Sequence, residues 1–218
     1  MGKNNFFNRI SFLFLLILIF PFSCSQNLPE ARFALPSLIF EYEKTDSLPT
    51  ARLSIFVEST SDVRRYQRIT LKSVKNDYVW DTYDIVKFKS AEKMYAGYTN
   101  FVMPGEELIP SGEYQVTYEN ADGEKIDIKT FLNYDSSFYT KKADEIPEFM
   151  ASKRAINSII IFNAEKSVLY FGEKKDELSN SRKIWNKYRD AAFYQEVYAL
   201  ADNSVMCVMP VMDVLPDN

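Results

Sequence analysis

The chain has 218 residues, a formal net charge of −4 and no histidine. Without histidine it lacks the most common general base and the most common protein metal ligand, so histidine-based catalysis and histidine metal sites are excluded. An acidic chain also lacks the positive surface that nucleic-acid binding requires, and we expect no nucleic-acid partner. Hydrophobic residues make up 46% and charged residues 26% of the chain, which is typical of a globular protein.

Residues 1–23 have the pattern of a secretory signal peptide. Lys3 and Arg9 precede the apolar run 10–22, and Ser23 and Cys24 follow it. A helix that crosses a bilayer needs about 20 apolar residues, so this run is too short for that role and fits the apolar region of a signal peptide. An uncleaved anchor and an ordinary secretory signal with an incidental cysteine are the alternatives.

The segment Pro21-Phe22-Ser23-Cys24 resembles the cleavage box of bacterial lipoproteins, in which an aliphatic residue and two small residues precede a cysteine. The last two residues match that pattern and the first two depart from it. The resemblance implies a diacylglycerol on Cys24 and an acylated amino group, so the chain would be bound to a membrane through its N-terminal lipid. In this family, an aspartate directly after the cysteine marks retention at the inner membrane. Ser25 occupies that position in this chain, and the absence of aspartate favours the outer membrane.

Composition divides the remaining chain into four segments. Residues 24–36 carry two prolines and predict a tether, and residues 37–134 are rich in short β-type runs separated by turn residues. Residues 135–155 are acidic and turn-like and predict a connector. Residues 156–218 predict a small α+β region.

Within residues 37–134, runs of β-branched and aromatic residues predict short strands. Residues 78–88 are interpreted as one strand that places Tyr78, Trp80, Val86 and Phe88 on one face. The further strands are predicted at 38–43, 52–58 and 63–74.

The strongest local signal is a β-hairpin. Tyr114, Val116 and Tyr118 alternate with polar residues, and Asp122-Gly123 supplies a turn in which glycine adopts the positive φ angle. The run that begins at Pro110, Pro-Ser-Gly-Glu-Tyr, resembles the start of the penultimate strand of immunoglobulin-like and fibronectin-like domains. This resemblance, over about residues 36–134, implies an antiparallel β-sandwich in which the Tyr114 hydroxyl bonds to upstream backbone as a tyrosine corner. It implies no particular function.

The C-terminal region predicts the order β-β-α-β. Strands are expected at 158–162 and 167–171, and apolar residues at helical spacing predict a helix from Asn180 or Ser181 to about Asp202. A buried strand is expected at 205–211, where Pro210 indicates an edge or a bulge.

Two constellations have the residue types of reactive sites. Ser90 and Lys93 match the Ser-x-x-Lys core of penicillin-binding acyl-enzymes, but the companion motifs are missing and a solvated turn is favoured. Met206, Cys207, Met209 and Met212 are soft sulfur ligands of the kind that Cu(I) prefers, yet strand alternation separates them onto two sides. We therefore predict no catalytic residue, no metal site and no cofactor.

The acidic pairs Glu106-Glu107 and Asp144-Glu145 follow no calcium-loop pattern and are interpreted as exposed loop acids. The main basic cluster consists of Arg64, Arg65, Arg68 and Lys72. Strand alternation places Arg64, Tyr66, Arg68 and Lys72 on one face, which is a candidate partner surface, with a solvent-facing strand as the alternative.

Together these features predict a membrane-anchored lipoprotein of the bacterial cell envelope that acts as a binding or assembly module and not as an enzyme. Its partner would be a protein or another envelope component. A large exposed apolar patch would mark such a partner site. The alternatives are an envelope enzyme acting on glycan, peptidoglycan or lipid, which needs converging catalytic groups, and a carrier of an apolar ligand, which needs an internal cavity.

Overall fold

In a computed structural model, the described residues are 31–59, 65–105 and 107–214. They form two β-sheets, which confirms the prediction of a mainly β chain. The strands are β1 (Ala31–Glu41), β2 (Thr50–Ser59), β3 (Tyr66–Ser73), β4 (Val79–Thr82), β5 (Val86–Ser90), β6 (Lys93–Phe101), β7 (Gly112–Asn120), β8 (Lys125–Leu132), β9 (Ile156–Phe162), β10 (Val168–Glu173), β11 (Phe193–Ala199), β12 (Val205–Val208) and β13 (Met212–Asp213). The α-helices are α1 (Ile146–Ser152) and α2 (Ser181–Lys187), and shorter 3-10 turns lie at Ser136–Thr140, Ala143–Glu145 and Asp176–Leu178.

The larger sheet has the strand order β10-β9-β11-β12-β1-β2-β6-β5, and β13 also pairs with β11. The smaller sheet has the order β4-β3-β7-β8. Strands β1 and β12 run parallel, and the other described strand pairs are antiparallel. Because β12 pairs with β1, the sheet continues without interruption from the predicted first domain into the predicted C-terminal region.

The main core lies between the two sheets. The larger sheet contributes the side chains that alternate inward along β1, β2 and β6, and the smaller sheet contributes its own inward side chains. Three side-chain hydrogen bonds link the sheets or their adjoining loops: Tyr118 to the Ala96 carbonyl at 2.8 Å, Trp80 to the Val102 carbonyl at 2.6 Å, and Thr130 to the Ala34 carbonyl at 3.1 Å. Fully buried members of this core include Leu38, Phe40, Leu53, Ile55, Val57, Ile69, Leu71, Tyr114, Val116 and Tyr118.

The helical segments cover the remaining length of the same inner face. The connector predicted at 135–155 forms two 3-10 turns and α1, and its Phe138, Ile146 and Met150 pack into the main core. Helix α2 and the turn before it pack on β9 through Ile184 and Leu178 and form a second, smaller core. Within the described ranges, no helix has the length and apolar character needed to cross a membrane.

The prediction of a tether is wrong for residues 31–36. They form the first half of β1, and Ala34 is buried against β2. Pro36 has no amide hydrogen to donate, but the strand tolerates it because β1 pairs with β12 only from Leu38 onward, so one side of Pro36 has no partner strand among the described residues. The part of the predicted tether at 24–30 lies outside the described residues.

The prediction of one long helix from residue 180 to residue 202 is correct only for its first two turns. Asn180 caps α2 by accepting a hydrogen bond from the Lys183 amide at 3.0 Å, as expected, but the helix ends at Lys187. Residues 193–199 instead form β11, which pairs with β9 on one side and with β12 on the other. Hydrogen bonds to a strand on each side satisfy the backbone of β11, and this pairing outweighs the helical spacing of its apolar residues.

Residues 78–88 form two strands and not one. The chain breaks at residues 83–85, so that β4 joins the smaller sheet while β5 joins the larger one. Trp80 is therefore in the main core, whereas Val86 and Phe88 are exposed on a different surface. The sequence predicts one continuous strand here because residues 83–85 contain no glycine or proline that would indicate a break. Alternation along a single strand would place all of these side chains on one face.

Candidate functional site

Tyr114 occupies the position that the corner motif predicts. Its ring is fully buried, and its hydroxyl donates a hydrogen bond to the carbonyl of Pro110. Burial raises the pKa of this phenol. Tyr134 and Tyr139 bond to the backbone of the neighbouring Ile109, so the three tyrosines hold the segment before β7 in place.

The predicted basic partner surface does not form as one face. Arg64 lies outside the described residues, and a bulge between Tyr66 and Arg68 shifts the alternation of β3 against β7. Tyr66 is consequently buried in the core, while Arg68 and Lys72 point outward. Arg68 pairs with Asp81 at 2.7 Å, and Lys72 pairs with an aspartate in the following turn at 2.7 Å. These cations are neutralised within the chain, which disfavours an acidic partner here.

The two reactive-site constellations do not assemble. Ser90 and Lys93 are the paired residues that close the β5–β6 hairpin, and the Lys93 amine binds Glu58 at 2.9 Å. This hydrogen bond raises the pKa of Lys93, whereas a lysine that activates serine needs a lowered one. Among the sulfur residues, Cys207 is buried in the core, and Met206 lies on the opposite side of the sheet. Within the described ranges, no three His, Cys, Asp or Glu side chains cluster as a metal site.

The main unassigned surface is the outer face of the larger sheet, opposite the core. Its first part comprises two cross-strand rows over β1, β2, β6 and β5. One row is Leu35, Phe56, Gly97 and Val86, and the second is Phe33, Glu58, Tyr95 and Phe88. We call the apolar side chains of these rows the β5-end patch: Phe33, Leu35, Phe56, Val86, Phe88 and Tyr95.

Rings in the β5-end patch pack on each other and leave apolar surface open. Phe88 stacks on Tyr95 with ring centroids 5.1 Å apart and meets the edge of Phe56 at 5.3 Å. Phe33, Leu35, Val86 and Phe88 are 45%, 43%, 47% and 42% exposed. Exposed apolar groups that adjoin on one face, unlike single ones, mark an interaction surface. None of these side chains belongs to either of the two described cores.

Charges of both signs border the β5-end patch. Arg32 and Lys93 are exposed on strands that carry the patch, whereas Lys87 and Lys89 alternate with Val86 and Phe88 and point to the opposite face of β5. Glu58, which is 3% exposed, pairs with Lys93, and Glu92 is exposed in the β5–β6 turn.

A second apolar surface lies on the same outer face, at β10, β9 and β11. Phe162 faces Phe193 across the β9–β11 ladder, and Phe171 lies beside them on β10 with 66% of its surface exposed. Phe162, Lys166, Phe193 and Val211 line a groove of about 380 Å³. We call Phe162, Val168, Phe171, Phe193 and Val211 the β10-end patch.

A polar cluster on the inner face lies between the two cores. The Glu196 carboxylate accepts hydrogen bonds from Lys174 at 2.5 Å, from the Asn157 amide at 3.2 Å and from the Tyr198 hydroxyl at 2.9 Å. Burial raises the pKa of Glu196, but its bonds to Lys174 and Asn157 outweigh this, so its pKa lies below the usual value. A fully paired, ionised carboxylate of this kind is suited to holding strands together and not to proton transfer.

Sequence reasoning missed both patches. The sequence predicts a tether at Phe33 and Leu35, and it predicts a single strand that carries Trp80, Val86 and Phe88. The alternation Val-Lys-Phe-Lys at 86–89 was a usable signal, because it is typical of a strand with one apolar and one solvated face.

No family model matches this chain, and no curated protein matches it. Function is therefore inferred from its own residues and surfaces. The outer face of the larger sheet carries two groups of exposed apolar side chains that neither core includes.

Proposed function

We propose that this chain is a lipid-anchored protein of the bacterial cell envelope that acts as a binding or assembly module. The anchor is inferred from the signal-peptide pattern and from Cys24, and Ser25 favours the outer membrane. Three acyl chains would hold the protein stably, whereas a single chain binds only marginally.

The observation that supports a binding role is the β10-end patch. Its rings adjoin a groove of about 380 Å³, and the rim contains Lys166. Interfaces between proteins are typically built around exposed aromatic side chains that fill a complementary surface, with polar groups at the rim. We infer that this patch receives an envelope protein that presents an apolar side chain to the groove.

The finer architecture belongs to the same proposal. We infer that residues 37–134 are an immunoglobulin-like sandwich and that residues 156–218 are a small α+β unit built onto its larger sheet. The Tyr114–Pro110 hydrogen bond supports the first assignment. Helix α2, packed on β9 through Ile184, supports the second.

The binding site can be tested in living cells by replacing Phe171 with a photoreactive amino acid. The matched control is the same replacement at Phe131, which is 64% exposed but lies on the smaller sheet. We expect a discrete cross-linked product from position 171 only, and its loss when Phe162→Asp is added. Identical products from both positions would contradict the assignment.

The anchor is tested separately with Cys24→Ser. We expect this variant to lose labelling by a fatty-acid analogue and to leave the membrane fraction or remain unprocessed. The control is Cys207→Ser, which removes the second cysteine and should leave labelling intact. Unchanged labelling of the Cys24 variant would disprove the lipid assignment.

A further inference from the structure

We propose that the β5-end patch rests on the surface of the membrane in which the lipid is inserted, with its apolar side chains against the headgroup layer. The inference rests on the proposed anchor at Cys24 and adds an orientation to it. Its occupant is lipid, and two observations support that occupant over a protein: chain length and apolar exposure.

Chain length keeps this patch close to the bilayer. Cys24 precedes Ala31, the first residue of β1, by seven positions, and it precedes Phe33 by nine. A fully extended chain spans at most about 3.3–3.6 Å per residue, so Phe33 lies within roughly 30 Å of the lipidated sulfur. The β10-end patch lies several strands farther from this attachment point along the same sheet.

The apolar surface of the patch suits an interfacial position. Phe33, Leu35, Val86 and Phe88 present adjoining apolar groups, and the Tyr95 ring stands among them with its hydroxyl 3.4 Å from Glu58. Aromatic side chains with a polar tip are favoured at the level of lipid headgroups. A shallow apolar patch supported by a covalent lipid can dwell there without inserting a helix.

The edge of the larger sheet disfavours pairing with a second copy of the chain. Strand β5 lies at this edge, and its alternating Lys87 and Lys89 discourage edge-to-edge pairing. Removing Lys3 and Arg9 with the signal leaves 24 basic against 30 acidic residues, so the contact with lipid depends on apolar side chains and not on net charge.

The test uses the lipidated full-length protein reconstituted into vesicles of three parts phosphatidylethanolamine to one part phosphatidylglycerol. A polarity-sensitive dye is attached to Phe88→Cys, with Phe131→Cys as the matched control on the smaller sheet. Acylation blocks Cys24 and burial protects Cys207, so the introduced cysteine is the labelled one. We expect a blue shift and several-fold quenching by a lipid-borne quencher at position 88, and neither at position 131.

Other outcomes overturn the inference in distinguishable ways. A water-like signal at position 88 in protein that floats with the vesicles would disprove the orientation and leave the anchor intact. Shielding that disappears when the protein is diluted among more vesicles would mean that a second copy covers the patch. Protein that fails to float and takes up no fatty acid would disprove the anchor itself.

Discussion

The ring of Phe56 lies directly over Gly97 on the neighbouring strand β6. A Cβ atom at position 97 would clash with Cδ1 of Phe56 and with the carbonyl oxygen of Ile55. An aromatic ring over a strand glycine compensates for the side chain that glycine lacks. The absence of a Cβ atom at Gly97 is thus what allows the middle of the β5-end patch to form.

We expect Gly97→Ala to destabilise the protein by about 2–3 kcal/mol, as overpacking does, because the obstructing atoms include backbone. The unfolding midpoint in denaturant measures this. Gly172→Ala is the matched control, since a Cβ there would approach only the end of the Tyr170 side chain. Equal stability of the two variants would mean that Phe56 can move away from β6 at little cost.

Tyr114→Ala should lower the free energy of unfolding by about 3–5 kcal/mol, because it removes a large buried ring. Tyr114→Phe should cost only about 1–2 kcal/mol, the typical effect of leaving a buried carbonyl such as that of Pro110 without its donor. Thermal unfolding of both variants checks the order. Tyr83→Phe, at a 70% exposed tyrosine, is the control. A neutral Tyr114→Ala variant would refute the corner role.

Stability should fall in alkaline solution. Burial raises the pKa of Tyr66 to about 12 and also raises those of Tyr114 and Tyr118, from an ordinary value near 10. Above that ordinary value the unfolded chain loses phenol protons that the folded chain keeps, so unfolding releases protons and becomes more favourable as pH rises. Denaturant midpoints measured across alkaline pH should decline from about pH 10. Tyr118→Phe should lessen the decline, whereas Tyr83→Phe should not.

Native Cys207 should resist thiol reagents. Its side chain is fully buried beside the Tyr42 hydroxyl, and burial raises the pKa of the thiol from 9.0 to about 12. The reactive thiolate is therefore scarce at neutral pH, and the reagent has no access to it. Lys129→Cys, at an exposed position, supplies a control thiol that should react at once. Rapid modification of the wild-type protein before unfolding would show that the β12 region opens in the native state.

The sequence predicts the local elements where one periodicity dominates. Tyr114, Val116 and Tyr118 alternate without interruption up to Asp122-Gly123, and the structure has the hairpin of β7 and β8 with a positive φ angle of 79° at Gly123. Residues 193–199 carry both the helical and the strand spacing. There the outcome depends on β9 and β12, which are distant in sequence and which no local pattern identifies.

The candidate surfaces were harder to predict than the elements. Phe88 follows Trp80 at an even spacing, yet the two side chains belong to different sheets because the chain changes direction at residues 83–85. Simple alternation predicts that Tyr66 and Arg68 share one strand face, because the residue pattern gives no sign of the one-residue bulge between them. Each patch is formed by side chains from several neighbouring strands, and the order of those strands depends on pairing between residues far apart in the sequence.

The uninterrupted sheet also determines where its two ends point. Adjacent strands rotate by about 20–25°, so the four steps from β2 to β9 turn the outward direction by roughly 80–100°. With the β5-end patch flat on a bilayer, the β10-end patch would face sideways, parallel to the membrane plane. A partner would then be met by lateral diffusion in two dimensions, which favours another membrane-bound protein over one that is dissolved above the surface.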